Sequence, residues 1–297
     1  PMSPFVDQED PAIVAAAQQG DRDALTEVVA RHRPWIFNIA LRMLGEREAA
    51  EDATQEIFIK VLRRIGSFEG RSSFRTWLYR VAFHHLLNEK RSKFEQNITN
   101  FDDFAAGLEA TPNLGMDDIP EPERRLLVEE GKTACMTGML LCLNREQRLA
   151  YLLGSVFELS DTQAAGILDI PLATFRKRLQ RARADLHNFM HNQCGLINAR
   201  NPCRCARKTR AFIESGHLDR DDLKFQRDRI ASIAEAAPRD AGVFSEKLEH
   251  DYPALYREHA FSDPKTLKKR LSQMLEDTAF DGLLPRPSET LFEPGKG

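Results

Sequence analysis

The stretch EDATQEIFIK, residues 51–60, decides the fold class of this chain. Its apolar residues continue the helical spacing of a longer segment, from about Glu48 to Ile65, and predict a helix with one buried side. Asp52, Gln55 and Glu56 stand at positions i, i+3 and i+4 and share the opposite face of that helix. An acidic face of this kind suits docking to a basic partner helix, although an ordinary solvated face has the same spacing.

The next stretch, SFEGRSSFRTWLYRVA at residues 67–82, interleaves aromatic and basic residues. Proteins bind single-stranded DNA with aromatic rings that stack on bases and cations that follow the phosphates. The stretch therefore predicts a single-strand contact, with candidate rings and cations at Phe68, Trp77, Tyr79, Phe83, Arg71, Arg75 and Arg80. Trp77 taken alone is more typical of a hydrophobic core.

A third segment, residues 157–183, has the pattern of a helix-turn-helix. A short helix from Asp161 to Leu168 follows Ser160, a residue type that caps helix N-termini. A tight turn at residues 169–171 leads into a long basic helix from Leu172 to about Met190. In a helix-turn-helix, the N-terminal residues of the second helix contact base edges in the major groove.

Apolar residues recur at helical spacing along much of the chain and no segment has a strand pattern, so we predict an all-α protein. Composition divides it into a first helical domain, an acidic linker, a helix-turn-helix domain and a mostly helical, Cys-containing extension, at residues 10–93, 94–122, 123–193 and 194–297. The linker is rich in Asn, Asp, Gly and Pro, which predicts little structure of its own. Helical patches are predicted in the extension at about 220–237 and 264–275.

The charges of the chain form blocks, although the net charge is only −3. Residues 60–93 hold nine Lys/Arg and two Glu, and residues 176–210 hold ten Lys/Arg and one Asp. Two basic islands suggest contacts with a polyanion at two places, although solvated helix faces give the same pattern.

The five cysteines and the start of the chain bear on its compartment. An odd number of cysteines argues against a secreted disulfide scaffold. The chain does not open on a basic region followed by an apolar core, and no stretch approaches the roughly 18 apolar residues of a membrane span. We expect a cytoplasmic protein without membrane contact.

Two of these stretches resemble one family. The runs from Asp52 to Phe58 and from Phe74 to Leu78 resemble the sigma-two domain of extracytoplasmic-function (ECF) sigma factors, group four of the sigma-70 family. Residues 157–183 resemble the sigma-four domain of the same family, and the likeness extends from about Ala24 to Phe189. The resemblance implies a transcription initiation factor, not an enzyme, that binds core RNA polymerase, recognises and melts promoter DNA and requires no cofactor.

The resemblance also implies a role for individual residues. Asp52, Gln55 and Glu56 are expected to contact the clamp helices of the largest polymerase subunits, and the sigma-four domain to contact the beta subunit flap. The loop and helix at 67–88 are expected to read the minus-ten element, through Phe68, Arg71, Arg75, Trp77, Arg80, Phe83 and Asn88. The minus-thirty-five element is expected to meet Thr174, Arg176 and Lys177 at its bases and Arg178, Arg181 and Arg183 at its backbone, with Phe175 in the core.

The linker and the extension also have counterparts in the family, but the resemblance leaves more than one role possible for them. In the family the connector threads toward the polymerase active-site channel. Five acids of this linker either mimic nucleic-acid charge there or belong to a disordered tether: Asp102, Asp103, Asp117, Asp118 and Glu121. Some relatives carry a C-terminal extension in place of a separate anti-sigma protein, which implies regulation in cis by residues 194–297. A separate anti-sigma factor is a further candidate partner. Phe175, residues 154–156 and residues 163–165 depart from the family pattern, which affects the base preference.

A cysteine cluster opens the extension. His191, Cys194, Cys203 and Cys205 offer four ligands for a tetrahedral zinc ion, although Cys-x-Cys replaces the usual Cys-x-x-Cys. A redox-active thiol set and plain structural thiols are the alternatives.

Two other functions account for parts of the sequence. A stand-alone helix-turn-helix regulator with a metal- or redox-sensing extension would not need the acidic face or the aromatic run. A catalytic extension lacks support, because residues 211–297 contain neither a Gly-rich phosphate loop nor a His-Glu-x-x-His motif.

Overall fold

A computed structural model describes residues 11–98, 100–221, 223, 253, 256 and 263–276. The described residues are all-α, as predicted, and contain no strand beyond one isolated bridge between Cys194 and Cys203. The helices are α1 (Pro11–Gln18), α2 (Arg22–Leu44), α3 (Arg47–Arg64), α4 (Phe74–Asn88), α5 (Lys93–Asn97), α6 (Phe101–Ala110), α7 (Glu121–Cys142), α8 (Arg145–Tyr151), α9 (Asp161–Leu168), α10 (Leu172–Gln193), α11 (Cys205–Glu214) and α12 (Lys265–Glu276).

The first four helices form one bundle, and local signals set their ends. Asp21 caps α2 by accepting a hydrogen bond from the backbone N–H of Ala24 at 2.8 Å. Gly45 ends α2 with a φ of 72°, a left-handed conformation that glycine adopts without steric cost. Ser73 caps α4 at the backbone N–H of Thr76. The apolar sides of α2, α3 and α4 face one another and form the core.

The helix-turn-helix consists of α9 and α10, and the predicted bounds of α9 are confirmed. Ser160 and Gln163 form a capping box at the start of α9, and Asp169 ends that helix with a φ of 55°. Phe175 is fully buried, which confirms its expected place in the core. Helix α10 packs on α8 and on α9, and its polar side stays accessible.

The expectation that the linker has little structure of its own was wrong. It contains α5 and α6, and the side chain of Asn100 caps α6. Phe101 and Phe104 pack against Phe189 of α10, with ring centroids 5.2 and 5.7 Å apart. Gly138 of α7 permits this contact, because a Cβ there would lie 2.7 Å from the Phe104 ring. The apolar residues of α6 recur at helical spacing, a signal masked in the sequence by the surrounding Asp, Asn and Gly residues.

Helices α1 to α5 form one half of the described fold and α7 to α10 the other, and the two halves lie in contact. Glu95 of α5 is 3% exposed and accepts hydrogen bonds from Arg145 at 2.6 Å and from Arg148 at 3.1 Å. Arg148 also donates to the backbone carbonyls of Leu140, Leu141 and Leu143, and to that of Met43 in α2. Elsewhere α4 packs against α9. The described helices therefore form a closed arrangement with a nearly continuous core.

The described parts of the extension lie on both halves. Helix α11 packs along α7, and α12 packs on α2 and α3. The predicted patch at 264–275 is thus confirmed as α12, whereas most of the patch at 220–237 lies outside the described residues. None of the helices in the described ranges is long and apolar enough to cross a membrane.

Candidate functional site

The acidic face of α3 is formed as the sequence predicts. The side chains of Asp52 and Glu56 are 65% and 60% exposed, and Gln55 is half-buried between them. The buried side of the same helix packs Ile57 and Phe58 into the core, which fixes the orientation of the face. We use the name acidic face for Glu51, Asp52, Gln55 and Glu56 below; Glu51 lies at its inner edge and was missed from the sequence.

A charged cluster joins this face to α4. His85 is buried, and its Nδ1 lies 2.5 Å from Nζ of Lys60, while its Nε2 lies 3.0 Å from a carboxylate oxygen of Glu89 and 3.9 Å from one of Glu56. Burial and the charge of Lys60 lower the pKa of His85, although the two carboxylates oppose this shift. An ammonium group only donates, so Nδ1 accepts from Lys60 and the ring proton of a neutral His85 sits on Nε2.

The tautomer of His85 bears on whether this cluster is a cation site or an electrostatic link between α3 and α4. Candidate ligand atoms of Glu56, His85 and Glu89 lie within 4.8 Å of one another, the one such group in the described parts of the chain. A protonated Nε2 has no lone pair to offer a cation. We therefore interpret the cluster as an electrostatic link between α3 and α4.

The candidate minus-ten residues separate into an accessible set and an interior set. Arg71 and Asn88 are exposed, and Phe68 and Trp77 are half-buried. The rings of Phe68 and Trp77 are 5.7 Å apart at the tip of the bundle, and both contact Phe74. Such a half-open aromatic cluster at the mouth of a Gly-containing loop can receive an unstacked base.

The interior set is less accessible than the sequence interpretation expects. Phe83 is 1% exposed and Tyr79 stacks on Trp35 at 4.0 Å, so neither ring offers a face to a base in this arrangement. Arg75 is buried as well. Phe83 belongs to the apolar stripe of α4, and its aromatic character alone could not distinguish a core position from a stacking position. Arg80 is half-buried and donates to the backbone carbonyl of Gly166 in α9 at 2.9 Å.

The candidate minus-thirty-five residues lie on the polar side of α10. Arg176, Lys177 and Arg181 are exposed, and Thr174 and Arg178 are half-buried. Three of these cations have partners nearby. Arg176 pairs with the carboxylate of Asp161 at 2.8 Å and Arg178 with that of Glu146 at 2.7 Å, while Arg183 donates to the hydroxyl of Ser155 at 2.9 Å and to the backbone carbonyl of Gly154 at 3.4 Å. The two ion pairs are exposed at one or both partners, and such pairs contribute little stability.

The unusual residues Gly154 and Ser155 have a structural role. They belong to a π-helical turn, Leu152–Val156, that joins α8 to the helix-turn-helix. A Cβ at Gly154 would lie 2.7 Å from a methyl group of the buried Leu179. The glycine therefore lets α10 approach this turn closely, and the sequence offered no signal for it beyond its departure from the family pattern.

The cysteines of the extension converge on α7, at a residue the sequence did not indicate. A Cβ at Gly131 would lie 2.8 Å from Oγ1 of Thr209, so α7 and α11 touch there. Farther along this pair, Leu127 and Phe212 belong to one apolar cluster, which makes the helices antiparallel. Cys135 and Cys205 lie one turn from the Gly131–Thr209 contact, on the same sides of their helices.

The thiols of this cluster influence one another. Burial, and then the neighbouring Cys205, Cys194 and Cys203, raise the pKa of Cys135 well above its ordinary value. Burial likewise raises the pKa of Cys205 to about 12. The five cysteines are free. His191 is exposed and stacks on His187. Neither the predicted zinc set of His191, Cys194, Cys203 and Cys205 nor the set with Cys135 in place of His191 has three ligand atoms within 4.8 Å of one another.

Comparison with known proteins identifies the family of this chain. Residues 28–94 match the model of sigma-70 region 2, and residues 133–186 match the model of sigma-70 region 4. The RNA polymerase sigma-H factor of Pseudomonas aeruginosa is 32% identical over 181 residues, which cover 59% of this chain and 91% of that protein. The chain belongs to the sigma-70 family of transcription initiation factors, which are nonenzymatic proteins that act with RNA polymerase and bind DNA.

Within that family, the relatives indicate the ECF type. The ECF sigma-E factor of Escherichia coli K12 is 29% identical over 179 residues, covering 60% of this chain and 93% of that protein. SigW of Bacillus subtilis, also an ECF sigma factor, is 29% identical over 180 residues, covering 60% of this chain and 95% of that protein. A solved structure of CnrH in complex with the cytosolic domain of CnrY aligns with 61% of this chain and 96% of that one, at 22% identity and a TM-score of 0.43. Residues beyond 186 lie outside both family matches.

Proposed function

We propose that this chain binds core RNA polymerase through the acidic face of α3, reads the minus-thirty-five element with α10 and the minus-ten element with residues 67–88, and promotes melting of the DNA. The observation that carries the proposal is the acidic face itself. Its exposed carboxylates stand opposite a fully packed core stripe, so a basic partner can reach them without any change in helices α1 to α4 once Arg270 of α12 has left Asp52. The clamp helices of the largest polymerase subunits are the proposed partner, with the beta subunit flap contacting the helix-turn-helix domain.

For the minus-ten element, the accessible residues take the direct role. We propose that Phe68 and Trp77 stack on unpaired bases while Arg71 and Asn88 contact the strand. Arg75 and Phe83 are buried, so we propose that they hold α4 in place rather than contact DNA. Arg80 becomes available to DNA when α4 separates from α9.

For the minus-thirty-five element, Thr174, Arg176 and Lys177 lie in the first two turns of α10, the part of a recognition helix that meets base edges. Arg178, Arg181 and Arg183 follow along the helix and suit the phosphate backbone. Duplex binding then competes with the ion pairs between Arg176 and Asp161 and between Arg178 and Glu146.

We further propose that the extension regulates the factor in cis. It contacts both halves of the closed arrangement: α12 lies on α2 and α3, and Tyr256 packs edge-on against Tyr151 of α8 at 5.6 Å. Because the two DNA-binding halves must reach separate promoter elements, contacts that bridge them favour the inactive arrangement. A separate anti-sigma protein is an additional candidate partner.

A structural metal ion is proposed for the cysteine cluster, with Cys135 in place of His191. Cys194, Cys203 and Cys205 of the extension are near enough to Cys135 of α7 to raise its pKa, but no three of the four sulfur atoms lie within 4.8 Å of one another, so a metal ion would have to draw them together. Thiols are the donor type that selects zinc and other soft cations. Arg204, Lys208 and Lys132 are close enough to affect these thiols and would offset the charge of four thiolates. We expect the full chain to bind about one zinc ion, as measured by elemental analysis, and Cys135→Ser to lose it while His191→Ala retains it. If none of the three proteins contains zinc, the proposal fails and the cysteines are structural thiols.

The central test is transcription by the full chain with core polymerase on a library of promoters. We expect initiation at promoters with two defined elements, and loss of polymerase association in the double variant Asp52→Arg/Glu56→Arg. Glu109→Arg, which reverses an exposed acid on α6, is the matched control and should behave as wild type. Binding of duplex DNA without polymerase association or initiation would instead favour a stand-alone helix-turn-helix regulator.

A further inference from the structure

Helix α12 of the extension covers part of the acidic face. Its three buried leucines, Leu267, Leu271 and Leu275, recur every four residues and form one apolar stripe against α2 and α3. Basic residues dominate its first half, at Lys265, Lys268, Lys269 and Arg270. Helix α12 is therefore a basic amphipathic helix, the kind of partner that an acidic face next to an apolar surface accommodates.

Polar contacts fix α12 on this surface. Arg270 donates to the carboxylate of Asp52 at 2.8 Å, and Thr266 donates to Glu51 at 3.0 and 3.2 Å. Just before the helix, Asp263 accepts two hydrogen bonds of 2.7 Å from Arg33 of α2, in the two-pronged geometry of a strong Arg–carboxylate pair. The side chain of Arg33 is 8% exposed, so this pair is better shielded from water than the one at Arg270.

We propose that the surface formed by α2 and the acidic face accommodates one basic amphipathic helix at a time, and that α12 and core polymerase compete for it. The inference rests on the proposed function, because the competition requires that polymerase uses Asp52. Since α12 lies against α2 and α3 and Arg270 donates to Asp52, a second helix cannot occupy this position until α12 leaves.

Tethering makes such competition effective even when the contacts of α12 are individually weak. A segment of the same chain is present at an effective concentration in the millimolar range, well above that of a separate protein. When only a fraction of the chains has α12 displaced, the apparent affinity for polymerase falls by that fraction. A displaced fraction on the order of one tenth therefore weakens binding about tenfold.

Two variants in the extension test the inference without altering the polymerase-binding residues. Arg270→Glu places a carboxylate against Asp52, and Asp263→Arg places a guanidinium against Arg33. The two substitutions change the net charge in opposite directions, yet both should displace α12. Lys269→Glu, on an exposed position of the same helix, repeats the charge change of Arg270→Glu without losing a contact and is the control.

The measurement is equilibrium binding of each full-length chain to core polymerase. We expect Arg270→Glu and Asp263→Arg to bind on the order of tenfold more tightly than wild type, and Lys269→Glu to bind as wild type does. Opposite shifts in the two variants would show a nonspecific charge effect, and equally tight binding by all four chains would show that α12 does not compete; either result overturns the inference. If no chain binds polymerase, the proposed function itself fails.

Discussion

Replacing Glu95 with Gln should destabilise the closed arrangement more than any exposed charge substitution. The Glu95 carboxylate receives hydrogen bonds from Arg145 at 3.1 and 2.6 Å and from Arg148 at 3.1 Å. Burial alone would raise the pKa of Glu95, but the hydrogen bonds and charges of the two arginines outweigh burial and lower that pKa. Glutamine keeps the shape of the side chain and removes its charge.

The expected loss of unfolding free energy depends on the partners that the buried Arg148 keeps after the substitution. The side chain of Arg148 is only 2% exposed, and after the substitution its hydrogen-bond partners among the described residues would be backbone carbonyls, without a carboxylate. Breaking a buried ion pair by removing one partner costs about 3–5 kcal/mol, because the other charge stays desolvated. The four carbonyls that Arg148 contacts offset part of this cost, so we expect about 3 kcal/mol, or a drop of roughly 6–12 °C in Tm.

The assay is urea unfolding of the full chain, followed by circular dichroism, with Glu109→Gln as an exposed control. Because the folded-state pKa of Glu95 is lowered, its contribution is present above the ordinary value of 4.5 and is lost as the pH falls through the folded-state value. The difference between wild type and Glu95→Gln should therefore shrink below about pH 4.5. A loss under about 1 kcal/mol at neutral pH, the range of surface pairs, would refute the account of a buried, coupled charge.

Two other substitutions separate structural from functional positions. Phe83→Ala should cost about 3–5 kcal/mol of unfolding free energy, because it empties a fully packed site, whereas Phe68→Ala should leave stability nearly unchanged and reduce promoter opening, as measured by permanganate reactivity of unpaired thymines. Equal stability losses in the two variants would contradict this division. Gly154→Ala should cost about 1–3 kcal/mol in urea unfolding, because its Cβ would meet the buried side chain of Leu179; a stable variant would mean that the π-helical turn can shift.

The sequence predicted what depends on local signals. Capping residues, turn residues and apolar spacing lie within a few positions of one another, so the bounds of α9 and the buried place of Phe175 followed directly. The linker was misread because its helix formers, Phe101 and Phe104, are stabilised by Phe189 on a distant helix rather than by their neighbours. Local composition favoured a loop, and tertiary packing overrode it.

The site residues also divide into those set by local sequence and those set by tertiary packing. The orientation of the acidic face depends on helical spacing alone and was predicted, whereas the burial of Phe83 depends on contacts with Trp35 of α2. Cys135 was missed for a related reason: it joins the other cysteines only through the antiparallel packing of α7 on α11. No spacing within residues 191–205 could indicate it.

Helical spacing alone does not distinguish a binding face from a solvated one. The surroundings of the acidic face distinguish them better. A solvated face needs no complement, but this one borders an apolar surface that three leucines of α12 cover, and one of its exposed carboxylates is paired with an arginine of that helix. Helix α12 of the extension thus has the basic, amphipathic character that we propose for the polymerase helix that binds this face. Because Asp263 also holds the buried Arg33, displacement of α12 leaves that cation without this partner unless the incoming helix brings a carboxylate of its own. A polymerase element that replaces α12 fully should therefore carry both basic and acidic residues, spaced to meet Asp52 and Arg33 together.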